Sequence, residues 1–258
     1  MSPELLSEFP VPGPFPRYEL PGWRQRFGVV AGITGRDFDL GLWTESPVSA
    51  VMKRWREFRS AEPGFPATIL GNQVHGSAVA TQHGGTGWIQ LDGVDGHVTA
   101  AAGLLLTVTV ADCIPVYLLD PSRRAVGLLH SGWRGTAAGI LEAGVHRLLE
   151  ATGGVPSDIV MHCGTGICGE CYEVGSEVRE GCGLPHEGPG PWHVDLRQVL
   201  TDQGRALGIQ KISSSTWCSA HARDRFYSHR ASGGRDGRMV AYLGFPEAGV
   251  GEPGSRPV

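Results

Sequence analysis

The sequence predicts an α/β or α+β fold with mixed β-sheets, and three observations carry that expectation. Apolar, β-branched runs recur as strand candidates, the clearest being LLLTVTVA over residues 104–111. A long pattern of helical periodicity lies downstream, over residues 131–154. Further strand candidates follow that helix, so the two element types are interspersed rather than segregated.

In chain order, residues 1 to about 20 are proline-rich and read as a loosely packed arm. ATIL (residues 67–70) reads as a strand, and NQVHG (72–76) as the loop leaving it. The run over residues 104–111 reads as a buried strand. IPVYLLD (114–120) and AVGLLH (125–130) flank the turn-forming DPSRR and pair as a hairpin. In SGWRGTAAGILEAGVHRLLEATGG, Ala137, Ile140, Leu141, Val145, Leu148 and Leu149 recur at helical spacing, and Gly153, Gly154 and Pro156 end the run. DIVMHCGTGI (158–167) reads as a strand ending in a glycine-rich loop. GIQKISSSTWC and RMVAYLGF (238–245) supply two more strands. The tail from about residue 247 is Gly/Pro/polar and is expected to fray. No linker-like break or repeat separates these segments, so residues 21–246 read as one domain.

At 258 residues and 41% apolar, the chain can bury a sizeable core. Charged residues make up only 19% and the net charge is −4, which argues against a general nucleic-acid surface. A local basic pocket for phosphate remains compatible with those values. The 39 glycines and 18 prolines are dispersed, as tight turns require. The longest apolar stretch, residues 100–110, is too short for a membrane span. The N-terminus carries acids and prolines where a signal peptide needs a basic start and an apolar run. A cytoplasmic monomer or small homo-oligomer is the expectation, and the six cysteines read as thiols or metal ligands rather than a disulfide framework.

Two positions attract attention within this frame. If residues 114–120 and 125–129 pair around Pro121 and Ser122, Cys113 and His130 are equidistant from the turn and fall opposite one another. Opposed Cβ atoms lie about 4.5–5.5 Å apart, close enough to share a metal ion. Taken singly, Cys113 is more often an inert buried thiol, and His75 in NQVHG more often a loop or core histidine than a ligand. In HSGWRG (130–135), Arg134 stands where a helix begins, a position suited to phosphate or carboxylate. An ordinary salt bridge, with Trp133 packed beneath the helix, is the competing reading.

Read together, these segments resemble the YfiH family, also known as the DUF152 or laccase-domain proteins, which includes mammalian FAMIN. The matching motifs are NQVHG, then DG and VDG (residues 92–96), ADCIP (111–115) and HSGWRG. CYEVGSEV (171–178), VDL (194–196), RFYSHR (225–230) and GRMVAYL (237–243) follow in the family's order. The resemblance implies a four-layer α/β/β/α fold with mixed sheets. It also implies a metal held by His75, Cys113 and His130, with zinc the first candidate and copper the second. The implied activity is phosphorolysis of adenosine, inosine and methylthioadenosine, with hydrolytic deamination of adenosine. Purine nucleoside and phosphate are thus the expected partners. Some bacterial members are linked instead to peptidoglycan-precursor editing. The chain departs from the pattern at residues 31–43, at GTGICGECYEV (164–174), where two prolines are lost, and at STWCSAH (215–221). Those loops bear on specificity.

One thiolate and two imidazoles suit a catalytic zinc, which keeps a fourth position open. Lewis-acid activation of water there accounts for attack at C6 of adenosine. Arg134 is the first candidate for phosphate and Arg230 the second. Gln73 and Tyr172 are candidate pocket residues, and Asp112 a candidate orienting group. The same three residues also suit a metal-free cysteine hydrolase, with Cys113 as nucleophile, His130 as base and His75 orienting. An amidase acting on a peptidoglycan precursor fits either version. A copper polyphenol oxidase fits less well, because the ten histidines include no H-x-H pair. A non-catalytic, zinc-stabilised binding domain requires a fourth ligand, for which Cys163, Cys168 and Cys171 are available.

Overall fold

The computed structural model describes residues 3–185 and 188–248. One seven-stranded sheet runs β1 (Glu4–Leu5), β15 (Lys211–Ser214), β12 (Val160–Cys163), β10 (Ile114–Asp120), β11 (Ala125–Ser131), β8 (Gly96–Thr99) and β6 (Val79–Gln82), numbered in chain order. The other runs β2 (Phe9–Pro10), β3 (Arg17–Glu19), β4 (Val30–Thr34), β16 (Met239–Gly244), β9 (Leu104–Val110), β5 (Ala67–Asn72) and β7 (Gly87–Asp92). Each mixes parallel and antiparallel neighbours. A two-stranded ribbon pairs β13 (Glu173–Val174) with β14 (Trp192–His193). The helices are α1 (Trp23–Phe27), α2 (Val48–Ser60), α3 (Trp133–Ala137), α4 (Ile140–Thr152), α5 (Ser176–Gly181), α6 (Leu196–Ala206) and α7 (His229–Ser232).

Period-2 alternation along the central strands builds the layers. In β10, Tyr117 and Leu119 join Ile33, Leu106, Val108 and Ala241 of the facing sheet in one buried cluster. Val116 and Leu118 join Leu141 and Val145 of α4 and Leu200 of α6 in a second. Beyond the other sheet, Leu70, Leu105 and Val240 pack on Val51, Trp55 and Phe58 of α2. The order is helix, sheet, sheet, helix, as the resemblance implies. Strands buried on both faces need continuous apolar runs, and this is why residues 104–110 and 114–120 stand out in the sequence.

Three expectations change. The single helix expected from about Arg134 to Gly153 is two helices, because Gly139 sits at φ 80°, a left-handed conformation that breaks the run before α4 begins. The hairpin forms, but its turn spans four residues, from Pro121 to Arg124, and its register pairs Asp120 with Ala125 and Pro115 with His130. Cys113 is therefore two residues past the position opposite His130, and the two are diagonal neighbours. Their separation still permits side-chain contact on one face.

The N-terminal segment is not a loose arm. β1 pairs with β15 and β2 with β3, so residues 4–19 are stitched into both sheets. The anchor between them is Glu8, which is 1% exposed. Its carboxylate accepts from the Thr165 backbone N–H at 2.8 Å and the Ser215 hydroxyl at 2.5 Å, and lies 3.6 Å from His162 Nε2. Burial alone would push this carboxyl up. The nearby His162 imidazole and the hydrogen bond from the Ser215 hydroxyl outweigh it and hold the pKa below the ordinary 4.5. A group depressed on folding contributes stability that is present above its unfolded pKa and lost as pH falls through the folded one. Glu8→Ala should accordingly cost about 3 kcal/mol in urea unfolding at neutral pH. For Glu8→Gln, the deficit relative to wild type should shrink as pH drops below about 4.5.

At the other end, Glu247 N donates to Gly64 O at 3.0 Å, and the expected fraying tail past Ala248 lies outside the described residues. Among the described residues no helix is long and apolar enough to cross a membrane.

Candidate metal centre and substrate cavity

The two facing sheets contribute to one site. Residues 126, 128 and 130 share the face of β11 that looks into the inter-sheet core, so His130 follows Val126 and Leu128 toward the facing sheet. Cys113 immediately precedes β10 on the neighbouring strand. His75 arrives from the other sheet, on the loop that leaves β5. Its φ of 61° is uncommon outside glycine and turns the chain back toward the hairpin.

One ligand atom from each of His75, Cys113 and His130 lies within 4.8 Å of the other two. The His75 and His130 rings meet edge to face, with centroids 4.9 Å apart. Gly132 closes the floor: a Cβ there would fall 2.9 Å from Cys113 Sγ and 3.3 Å from the His75 ring. Burial opposes ionisation of Cys113, but the charge and hydrogen bonds of His130 and His75 prevail and bring the thiol down to about 6. A metal ion bound in the triangle would take the place of the Cys113 thiol proton.

Asp95 organises this geometry. It is fully buried and immediately precedes β8. Its Oδ2 accepts from the N–H groups of Val74 (3.1 Å) and Gly76 (2.8 Å), and its Oδ1 from that of His75 (3.0 Å). The same Oδ1 lies 2.9 Å from His130 Nδ1. One carboxylate thus fixes the loop carrying His75 and the ring of His130, leaving His130 Nε2 available to a metal ion. The sequence signal was present, an acid in VDG just before a buried strand, but nothing in the spacing names its partners.

All eight predicted site residues, Gln73, His75, Asp112, Cys113, His130, Arg134, Tyr172 and Arg230, line one cavity of about 570 Å³. That volume suits a small-molecule ligand. Their states differ. Gln73 is committed: its Nε2 donates to Thr109 O and its Oε1 accepts from Thr109 N and Oγ1, so it braces the wall. Asp112, at φ 82°, accepts from the Ser219 hydroxyl (2.6 Å) and the Arg230 backbone N–H (2.6 Å), tying α7 to the hairpin. Tyr172 lies under the Arg230 guanidinium, 5.1 Å from its ring centroid, and burial pushes its hydroxyl up to about 12. Arg230 also donates to Glu173 O at 2.7 Å. Arg134 stacks on Trp133 at 4.5 Å. Neither arginine has a carboxylate partner among the described residues. α3 is a single turn, so any anion affinity there rests on the Arg134 side chain more than on a helix dipole. The divergent segment at residues 31–43 supplies Gly41, Leu42 and the exposed Trp43 to the cavity wall.

Residues 23–246 match the family model described as multi-copper polyphenol oxidoreductase laccase. The chain belongs to this family, the YfiH/DUF152 group. It is 38% identical over 229 residues to "Purine nucleoside phosphorylase ORF3" of Streptomyces griseus, covering 84% of this chain and 91% of that protein. The crystal structure of YlmD from Geobacillus stearothermophilus superposes with a TM-score of 0.81 at 29% identity, over 93% of this chain and all of that one. The chain is also 34% identical over 160 residues to "Adenosine deaminase RL5" from an unknown prokaryotic organism, covering 57% of this chain and 61% of that protein.

The donor set fits a single zinc ion with one open position: one thiolate, two imidazoles, and no fourth Cys, His, Asp or Glu ligand in the group among the described residues. Cys163 is buried in the cluster beneath α4 and α6, while Cys168 and Cys171 belong to a different group of donors. A trinuclear copper centre needs many more convergent histidines than either group offers.

Proposed function

We propose that this chain is a zinc-dependent purine nucleoside phosphorylase acting on adenosine, inosine and methylthioadenosine, with a second, hydrolytic activity that deaminates adenosine. The observation that carries this reading is co-location. A three-ligand donor set and two arginines without carboxylate partners among the described residues open onto one cavity, in a chain whose relatives include proteins named for both activities.

His75, Cys113 and His130 hold the ion, which supplies Lewis acidity at neutral pH. Arg134 and Arg230 bind phosphate and hold it against the ribose, lowering the entropic cost of bringing two reactants together. In phosphorolysis a phosphate oxygen bonds to C1′ as the bond from C1′ to purine N9 breaks, and N9 takes up a proton. The Tyr172 hydroxyl stays protonated at neutral pH and donates a hydrogen bond into the cavity. Trp43 and Leu42 offer an apolar wall to the purine ring. In deamination, water adds at C6 and ammonia departs. Phosphate takes no part in that reaction, and this difference supplies the test.

Arg134→Ala should raise the KM for phosphate about tenfold, the equivalent of roughly 1.4 kcal/mol of lost charge-assisted hydrogen bonding. Deamination measured without phosphate should stay within about twofold of wild type. Chromatographic separation of adenine from inosine reads both activities in one sample. An equal fall in both would assign Arg134 a structural role and remove it from the phosphate site.

A further inference from the structure

We propose that Cys168, Cys171, Cys218 and His221 form a second, structural zinc site outside the substrate cavity. This inference does not rest on the nucleoside reading. One ligand atom from each of the four lies within 4.8 Å of all the others. Tetrahedral zinc with bonds of about 2.3 Å to sulfur and 2.0–2.1 Å to nitrogen sets its ligands roughly 3.5–3.8 Å apart, so small side-chain rotations close the shell.

The backbone explains why these four meet. β12 and β15 are parallel neighbours with Cys163 beside Ser214, so the loops that follow them leave the sheet side by side. An isolated bridge between Gly166 and Cys218 carries the pairing outward. Each loop then presents two ligands three residues apart, as Cys-Gly-Glu-Cys and Cys-Ser-Ala-His. The first is folded by a bond from Cys171 N to Cys168 O at 3.1 Å. The Cys168 N–H points at Cys218 Sγ at 3.3 Å, and Cys171 Sγ lies 3.1 Å from His221 Nε2. Three sulfurs and one imidazole complete a four-ligand set, the composition of closed structural sites. None of the four lines the cavity.

The site would still bear on the cavity through its neighbours. Cys171 precedes Tyr172, the ring beneath Arg230. Cys218 precedes Ser219, whose hydroxyl holds Asp112 next to Cys113. A metal clasp on these loops would fix one wall of the substrate site from behind.

Zinc content per chain tests this on full-length protein purified reduced and supplied with zinc. Wild type should hold two equivalents, and Cys113→Ala and His221→Ala one each. Cys113→Ala combined with Cys168→Ser and Cys171→Ser should hold none. A Cys113→Ala chain without zinc, or one whose single zinc survives the added Cys168→Ser and Cys171→Ser changes, overturns the proposal. Should the cysteine variants fail to fold, alkylation of the Cys113→Ala chain decides instead. Cys168, Cys171 and Cys218 should resist modification until a chelator is added. Free alkylation of all three in the zinc-supplied chain, or a disulfide between any two of them, refutes the site.

Discussion

Cys113→Ala should abolish binding of zinc at the His75 and His130 site and lower kcat/KM for adenosine phosphorolysis by about 10³-fold or more. The thiol supplies the anionic ligand, and two neutral imidazoles alone make a much poorer site. A Lewis acid worth several kcal/mol of transition-state stabilisation is lost with the ion, and each 1.36 kcal/mol is tenfold in rate. The substitution itself should be tolerated, because it shortens a side chain at the edge of a cavity. Chelation of the wild-type enzyme separates this account from the cysteine-hydrolase alternative, which uses the same three residues. With Cys113 as a ligand, activity should disappear under chelation and return with added zinc. A thiol nucleophile would keep working without metal and would be stopped by alkylation alone.

The second large effect is expected at a residue that touches neither metal nor cavity. Asp95→Asn keeps the size of the side chain but replaces one acceptor oxygen by an NH2 group. Four hydrogen-bond donors converge on the carboxylate: three backbone N–H groups of the His75 loop and Nδ1 of His130. At least one of them must then face another donor in a fully buried setting. Loss of charge-assisted bonds there should cost about 3 kcal/mol of stability. Orienting carboxylates of this kind typically matter 10–100-fold for metal affinity, and Asp95 positions two of the proposed ligands at once. Competitive titration against a chromophoric chelator should therefore show zinc affinity down by about 100-fold. Thermal unfolding checks the stability loss in parallel. A stability loss with unchanged zinc affinity would make Asp95 a fold residue only.

Much of this arrangement was legible in the chain, and the gaps have physical causes. The strands at residues 104–110, 114–120 and 125–131 are visible because burial on both faces demands unbroken apolar runs. The Cys113–His130 proximity follows from the hairpin they bracket, although the four-residue turn shifts the register by two. His75 enters only by resemblance, since its partners lie on the opposite sheet and no local pattern encodes how two sheets face each other. The same limit hid Asp95, whose four donors come from residues 74–76 and 130. α2 and α6 escaped notice because only Val51, Trp55 and Phe58 in the first, and Leu196, Val199 and Leu200 in the second, mark their buried faces between polar residues. The prolines near the N-terminus suggested looseness, yet a single buried glutamate pins that segment between the sheets. Cys168 and Cys171 were visible as possible ligands. Cys218 and His221 were not, because parallel pairing of β12 with β15 brings them across some fifty residues of sequence.

The central claim, that the zinc-loaded cavity drives phosphate against the nucleoside, is tested most directly by following phosphorus-31 resonances. The sample is adenosine with inorganic phosphate over the zinc-loaded enzyme. Inorganic phosphate should decline as a ribose 1-phosphate signal grows in equal amount, with adenine released. Adenosine left intact by a fully zinc-loaded enzyme, or adenine released with no phosphate consumed, would contradict it.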